Sequence, residues 1–343
     1  MKQIPQSIAL FLCVFLGSCE QQRIYHRQFL SFGTLINITI AAHNSNDVEK
    51  AFRALQSDFD TMHHQWHAWQ PSPLTHLNRQ LASGQTFHID PTLTPLIKKA
   101  RTLSQHSLYL FNPAVGKLIA LWGFHQDDPG RTQPPSPSDI AELVKSHPTL
   151  DDITLKNGTA HCINPDVQLD FGGFAKGYGV GLAADHLLKM GQSNFIISAG
   201  GDLIVHGNHP QHQWNIGIRN PQGGNAIASI KAHSGEAIFT SGDYERFYLQ
   251  DGQKRHHIID PRTGYPAQGA HAVTVIHSDP GLADAAATAL LIANPKEWRA
   301  IAANLGIQHV LRMEKNGEIH TTDAMASRLQ FSPTLPVNPT EPQ

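Results

Sequence analysis

The stretch Leu169-Asp170-Phe171-Gly172-Gly173-Phe174-Ala175-Lys176-Gly177-Tyr178-Gly179 sets the reading of the chain. An apolar, strand-like approach meets two glycines. A helix should follow, with Val180, Leu182, Ala183 and Leu187 available for packing. Glycines let backbone approach a ligand closely, and a helix N-terminus with Lys176 in its first turn attracts phosphate. The order fails the Walker A pattern, which needs Gly-Lys followed by Ser or Thr, and Gly177-x-Gly179-x-Gly181 misses the dinucleotide fingerprint. On physical grounds the run suits either a phosphate cradle or a structural glycine turn.

Downstream of this run short strands dominate: Phe195–Ser198, Leu203–Val205, Trp214–Arg219, Ala237–Thr240 and Ala272–Ile276. Helices are expected over about Leu282–Ile292 and Lys296–Leu305. Upstream, Ile36, Ile38 and Ile40 alternate with polar residues, as in a half-buried strand. Ser45 can cap a helix whose stripe is Val48, Phe52, Leu55, Phe59 and Met62. Ser136-Pro137 opens another, after a polar loop from Gln126 to Pro135. Strands and helices do not alternate strictly. The expected class is α+β, a single large domain of mixed or antiparallel sheets with flanking helices. No internal repeat or dividing linker is visible.

The chain ends read differently. Lys2 and the apolar stretch Ile8 to Leu16 form a secretory signal too short to span a bilayer. It closes on Leu16-Gly17-Ser18-Cys19, similar to a bacterial lipobox, so Cys19 is the expected lipidation site. The expected domains are a signal at 1–18, a tether at 19–29 and a folded domain at 30–325. A Pro-rich extended tail should follow at 326–343, with Pro333, Pro336, Pro339 and Pro342 three residues apart. The protein should then be exported to the periplasmic side of a bacterial membrane and held there by lipid, without an internal membrane span.

Composition narrows the function classes. The chain has 343 residues, a formal net charge of -2 and 16% charged residues, which lacks the basic footprint of a nucleic-acid binder. Three cysteines exclude a disulfide scaffold, leaving Cys162 as a buried thiol. The 22 histidines are unusual. His63 and His67 have the i, i+4 spacing of a metal pair, but no Glu follows His63, so a solvated helix face is the better reading.

Three further runs can carry chemistry. Ala199-Gly200-Gly201-Asp202 between apolar strands reads as a hairpin turn. His256-His257-Ile258-Ile259-Asp260-Pro261-Arg262-Thr263-Gly264 is turn chemistry that also converges His, Asp, Arg and Thr. Asp284 and Thr288 lie at i, i+4 on one helix face and are oxygen ligands suited to Mg²⁺, a weak signal alone.

In order, these runs resemble one family. Together with Phe32-Gly33-Thr34, Phe111-Asn112-Pro113-Ala114-Val115-Gly116 and Leu121-Trp122-Gly123-Phe124, they look like the ApbE family of periplasmic FAD:protein FMN transferases. The resemblance spans roughly residues 30–325. It implies an enzyme that takes FAD as substrate and Mg²⁺ as cofactor. FMN would pass to a Thr or Ser hydroxyl of an acceptor protein through a phosphoester, with release of AMP. Membrane redox complexes would supply the acceptors.

Residue by residue, the resemblance implies that Asp170 and Lys176 contact FAD. The Gly173 carbonyl, Asp284, the Ala287 carbonyl and Thr288 would hold Mg²⁺. His257 would be catalytic, with His257 and Ile258 at the flavin and scissile phosphate, and Phe111, Asn112 and Pro113 would line the pocket. Phe32 stands where the family usually has Met, and Trp69 where it usually has Tyr. Both keep a large surface for packing on a flavin ring. Rival readings are a Mg²⁺-dependent FAD pyrophosphatase, a non-catalytic flavin-binding lipoprotein, and a His-rich metal buffer suggested by composition alone.

Overall fold

The computed structural model describes residues 22–126 and 134–332. The signal segment, Cys19, most of the Gln126–Pro135 loop and the run of prolines from Pro333 lie outside the described residues. The strands in the first half are β1 (Arg23–Ser31), β2 (Thr34–Ala42), β3 (Phe87–His88), β4 (Ile153–Lys156) and β5 (Thr159–Cys162). Next come β6 (Phe195–Ala199), β7 (Asp202–His206), β8 (Asn215–Ile218), β9 (Ala228–Lys231) and β10 (Ala237–Gly242). The last are β11 (Phe247–Gln250), β12 (Gln253–His256), β13 (Ala272–His277), β14 (His309–Met313), β15 (Ile319–Thr321) and β16 (Gln330–Phe331).

The longer helices are α1 (Ser45–Trp66), α2 (Pro73–Leu81), α3 (Thr94–His106), α4 (Gly116–Leu121) and α5 (Pro137–Lys145). They are joined by α6 (Ala175–Lys189), α7 (Pro280–Ile292), α8 (Trp298–Asn304) and α9 (Asp323–Ala326). None of these helices is long and apolar enough to cross a membrane.

Eight strands form the main sheet in the order β1-β2-β6-β7-β10-β13-β14-β15, antiparallel at every pairing. The pleat divides their side chains between two cores. Ile36, Ile38, Ile197, Ile204, Phe239 and Val275 point to the layer of α1, α6 and α7. Leu203, Val205, Ile238 and Ile276 point the other way, toward Ile218 and Ile230 of the small β16-β9-β8 sheet and Trp214 just before it. A third cluster of Val115, Leu118, Trp122, Phe124, Ile140, Tyr248 and Ile259 seats the hairpin β11–β12 and the turn after it. The α+β expectation therefore holds.

Local chemistry explains the elements. Along α1 the expected stripe is buried, but Asn44 caps the helix in place of Ser45, its side chain accepting from Asn46 N at 2.9 Å. Ser136 caps α5 as its sequence predicts. The Gly200-Gly201 hairpin turn holds φ values of 66° and 106°, which glycine adopts without strain. The strand expected before Gly172 reduces to one bridge between Val115 and Gln168. There the amide of Asn78 satisfies both the N–H and the carbonyl of Leu169, at 2.7 and 2.9 Å, in place of a neighbouring strand.

The folded region also extends past the expected bounds. Residues 23–29, expected as tether, belong to β1, which pairs with β2 along its whole length. Residues 330–331, expected in the tail, pair with β9, and Phe331 packs on the second core.

Helix α7 is buried around most of its circumference and is fixed at both ends. Asp279 caps it by accepting from Leu282 N at 3.1 Å, and Lys99 pairs with the same carboxylate. At the other end the fully buried Arg312 donates to the carbonyls of Leu290 and Ala293 at 2.5 and 2.9 Å and pairs with Glu314. Asp279→Ala should lower unfolding stability by about 1 kcal/mol, read as a lower urea midpoint at unchanged slope. An unchanged midpoint would remove the cap from the account.

Candidate functional site

The N-terminus of α6 and the first turns of α7 pack at backbone distance. A Cβ on Gly177 would sit 2.3 Å from the Pro280 carbonyl oxygen and 2.7 Å from Asp284 Cβ, so glycine is required there. This closeness lets Gly177 N donate to Asp284 Oδ2 at 2.8 Å. Gly173 meets Thr288 in the same way, a Cβ there falling 3.1 Å from Thr288 Oγ1. The Thr288 hydroxyl also meets Ser241 Oγ at 3.2 Å.

Lys176 lies between two acids. Its Nζ is 2.6 Å from Asp202 Oδ2 and 3.6 Å from Asp284 Oδ1. Burial disfavours the ammonium, but the two carboxylates outweigh it and hold the group above the usual lysine range. Asp284 responds oppositely. Its burial outweighs the pull of Lys176 and the Gly177 hydrogen bond, so its carboxyl lies above the usual range. Asp202 does a second job, accepting from Thr240 N at 2.7 Å and tying β7 to β10.

A belt of rings forms the neighbouring wall. Trp69 meets His125 in a near-parallel stack, centroids 5.6 Å apart at 22°, and the Arg246 guanidinium lies over its ring at 5.8 Å. Phe32, at a positive φ of 53°, stacks on Trp66 at 5.9 Å and 6°. His63 and His67 are local braces. The first accepts from Phe32 N at 3.2 Å, and the second accepts from the backbone N–H groups of Trp69 and Gln70.

His257 follows β12. Its Nδ1 sits 3.2 Å from the Arg246 carbonyl, and its backbone N–H donates to the same oxygen at 3.1 Å. A carbonyl only accepts, so the hydrogen is assigned to Nδ1 and Nε2 presents a lone pair. Desolvation first and the Arg246 charge second lower the imidazole to about 3. The turn beyond is braced by Trp122 Nε1 donating to Gly264 O at 2.7 Å and by Arg262 paired with Asp260.

The structure therefore joins Gly173, Lys176, Asp284 and Thr288 in one cluster. Arg246 meets both Trp69, with its guanidinium, and His257, with its backbone carbonyl. Asp170 is buried, accepting from Gly172 N at 2.7 Å with one oxygen and pairing with His125 Nε2 at 2.8 Å with the other. Burial raises its pKa most, but the bond to and charge of His125, the Gly172 N–H and the Arg246 charge together more than reverse this and leave it below the usual range.

The remaining expected pocket residues lie deeper. Phe111 packs on Phe174 in the main core, with ring centroids 5.9 Å apart. Asn112 bonds Pro148 O and Ala114 N, at 2.8 and 3.0 Å, and Asp170 N donates to Pro113 O at 2.8 Å. Ile258 is buried, and Ala287 lies inside α7.

Sequence reading missed Asp202, His125 and Arg246. Asp202 could have been found by asking what balances a lysine at a buried helix start, since an unpaired charge there is costly. His125 and Arg246 carried no local signal.

Comparison with known proteins places this geometry. The sequence pattern of the ApbE family matches residues 32–311. A Rhodobacter capsulatus protein named FAD:protein FMN transferase is 38% identical over 302 residues, 88% of this chain and 58% of the relative. The chain thus spans somewhat over half the length of that protein. A Klebsiella pneumoniae protein of the same name is 28% identical over 267 residues, 76% of this chain and 79% of its own. Among solved structures, the ApbE protein of Thermotoga maritima superposes with a TM-score of 0.82 at 30% identity, covering 89% of this chain and 99% of that one. The Vibrio cholerae flavin transferase ApbE shares the fold, with a TM-score of 0.78 at 24% identity over 90% of this chain and 99% of its own.

Proposed function

Because the chain belongs to the ApbE family, we propose that it is an FAD:protein FMN transferase. FMN passes from FAD to a Thr or Ser hydroxyl of an acceptor protein, and AMP leaves. The observation that carries this reading is the convergence of Lys176, Asp284, Thr288 and Gly173 where helices α6 and α7 meet.

Phosphoryl transfer demands positioning and charge neutralisation more than covalent help from the protein. Lys176, kept protonated by Asp202 and Asp284, supplies a fixed cation for the pyrophosphate. The Nε2 lone pair of His257 can take the proton of the acceptor hydroxyl. An anionic pyrophosphate beside His257 opposes the desolvation and the Arg246 charge, and moves the imidazole back toward a useful pKa.

The donor set fits a hard cation. A buried carboxylate of raised pKa, a threonine hydroxyl beside it and a backbone approach at Gly173 are oxygen ligands of the type Mg²⁺ takes. Asp284, Thr288 and the Gly173 and Ala287 carbonyls would hold the ion. Bound there, Mg²⁺ would offset negative charge on the phosphates and on the leaving AMP.

Metal binding needs the ionised Asp284, whose carboxyl burial raises to about 6, so metal affinity should rise with pH through that value. Calorimetric titration with Mg²⁺ at several pH values checks this, and a flat profile would contradict it.

The chain is further read as an exported lipoprotein anchored at Cys19, on the sequence of its first nineteen residues. Its acceptor is then a protein on the same side of the membrane, for which membrane redox complexes are the candidates. Incubation with FAD, Mg²⁺ and an acceptor protein should give an FMN adduct on Thr or Ser by mass spectrometry, with AMP released in step. FMN and AMP without an adduct would identify a pyrophosphatase, and bound FAD without turnover would identify a flavin carrier.

A further inference from the structure

We propose that His125 is a positioning residue that fixes the ring of Trp69 for FAD, an inference resting on the function proposed above. Three independent restraints hold His125. Its ring is pinned by Asp170, Nε2 to Oδ2 at 2.8 Å. The same ring lies against the indole of Trp69, centroids 5.6 Å apart and nearly parallel. Its backbone is gripped from both sides, because Arg246 Nη2 donates to the carbonyls of Phe124 and Gln126, the residues flanking it, at 3.1 Å each.

The partners extend the logic. Asp170 spends one oxygen on Gly172 N, at the glycine turn that opens α6, and the other on His125. Arg246 lies over Trp69 with its guanidinium and bonds His257 with its carbonyl. Segments around residues 69, 125, 170 and 246 thus share one brace around the indole.

The His67 ring meets the indole only edge-on, centroids 4.6 Å apart at 76°. A half-buried indole with no face-on ring could still turn about its side-chain torsions, so that each binding event would have to order it. With His125 behind it the ring is already in place, as a preorganised stacking surface requires. The imidazole acts on FAD through Trp69. Its loss should therefore weaken FAD binding and leave the chemical step alone.

The test is a titration of FAD by quenching of flavin fluorescence, with steady-state transfer rates, on wild-type protein, His125→Ala and His125→Phe. Wild type should bind FAD. His125→Ala should bind roughly threefold to tenfold more weakly, as expected for a lost aromatic pair, with kcat at saturating FAD unchanged. His125→Phe, which keeps a ring against Trp69 and loses the Asp170 bond, should recover most of that affinity. Unchanged FAD affinity in His125→Ala would overturn the inference, and so would a Phe variant no better than Ala. Affinity, kcat and thermal midpoint falling together in His125→Ala would show a merely structural role and overturn it as well. No quenching with wild type would instead defeat the proposed function, and the inference with it.

Discussion

In His257→Ala, FMN transfer to an acceptor should fall by about 10²–10⁴-fold while FAD still binds, the span typical of a lost general base. A serine or threonine hydroxyl is a weak nucleophile near neutral pH and needs its proton taken as the phosphorus bond forms. His257 would be oriented for that task by two contacts to one carbonyl, and the tautomer assigned from them leaves Nε2 free of hydrogen. Initial rates of acceptor labelling, set beside FAD binding by fluorescence, measure the effect. A variant labelling its acceptor at the wild-type rate would move the base elsewhere.

The same imidazole gives a stability signature whose sign follows from its shift. In the unfolded chain it titrates near the ordinary histidine value of about 6.5. In the fold without ligand it titrates at about 3. The unfolded state therefore binds more protons between these values, and this contribution to stability is lost as pH falls from about 6.5 toward 3.

The second large effect is expected at Asp284. Asp284→Asn keeps the volume and an oxygen facing Gly177 N, but removes the negative charge beside Lys176. Transfer should drop by more than about 100-fold, beyond the loss usual for a group that only supports a metal ligand. The rise of rate with added Mg²⁺ should flatten in the same variant. Circular dichroism shows whether the fold survives, and rate against Mg²⁺ concentration is the deciding measurement. A wild-type Mg²⁺ curve in the variant would mean that Asp284 is not a ligand.

Much of the architecture was legible because local rules and tertiary packing agree. The stripe Val48, Phe52, Leu55, Phe59 and Met62 reads as a helical face, and two glycines before Asp202 read best as a hairpin turn, and the structure forms both. The cluster on α6 and α7 was legible through order of motifs, because spacing alone left Asp284 and Thr288 a weak pair. What stayed hidden depends on distant partners. Asp202 looked like the end of a turn because its ion pair is with a lysine 26 positions earlier. Strand β12 has no hydrophobic pattern of its own, and β11 is seated through Tyr248, which packs with Trp122, Phe124 and Ile140 from other segments. Leu169 lacks a strand partner because a side-chain amide from α2 takes its place. His125 is fixed by Asp170 and Arg246, neither of which is near it in sequence.

That β1 begins at Arg23 limits where such an enzyme can work. With lipid on Cys19, as proposed, only four residue steps separate the bilayer surface from the edge of the main sheet, a reach of at most about 14 Å. The catalytic domain would graze the membrane and could not sweep through the compartment, so its acceptors would be those offering a hydroxyl close to the lipid.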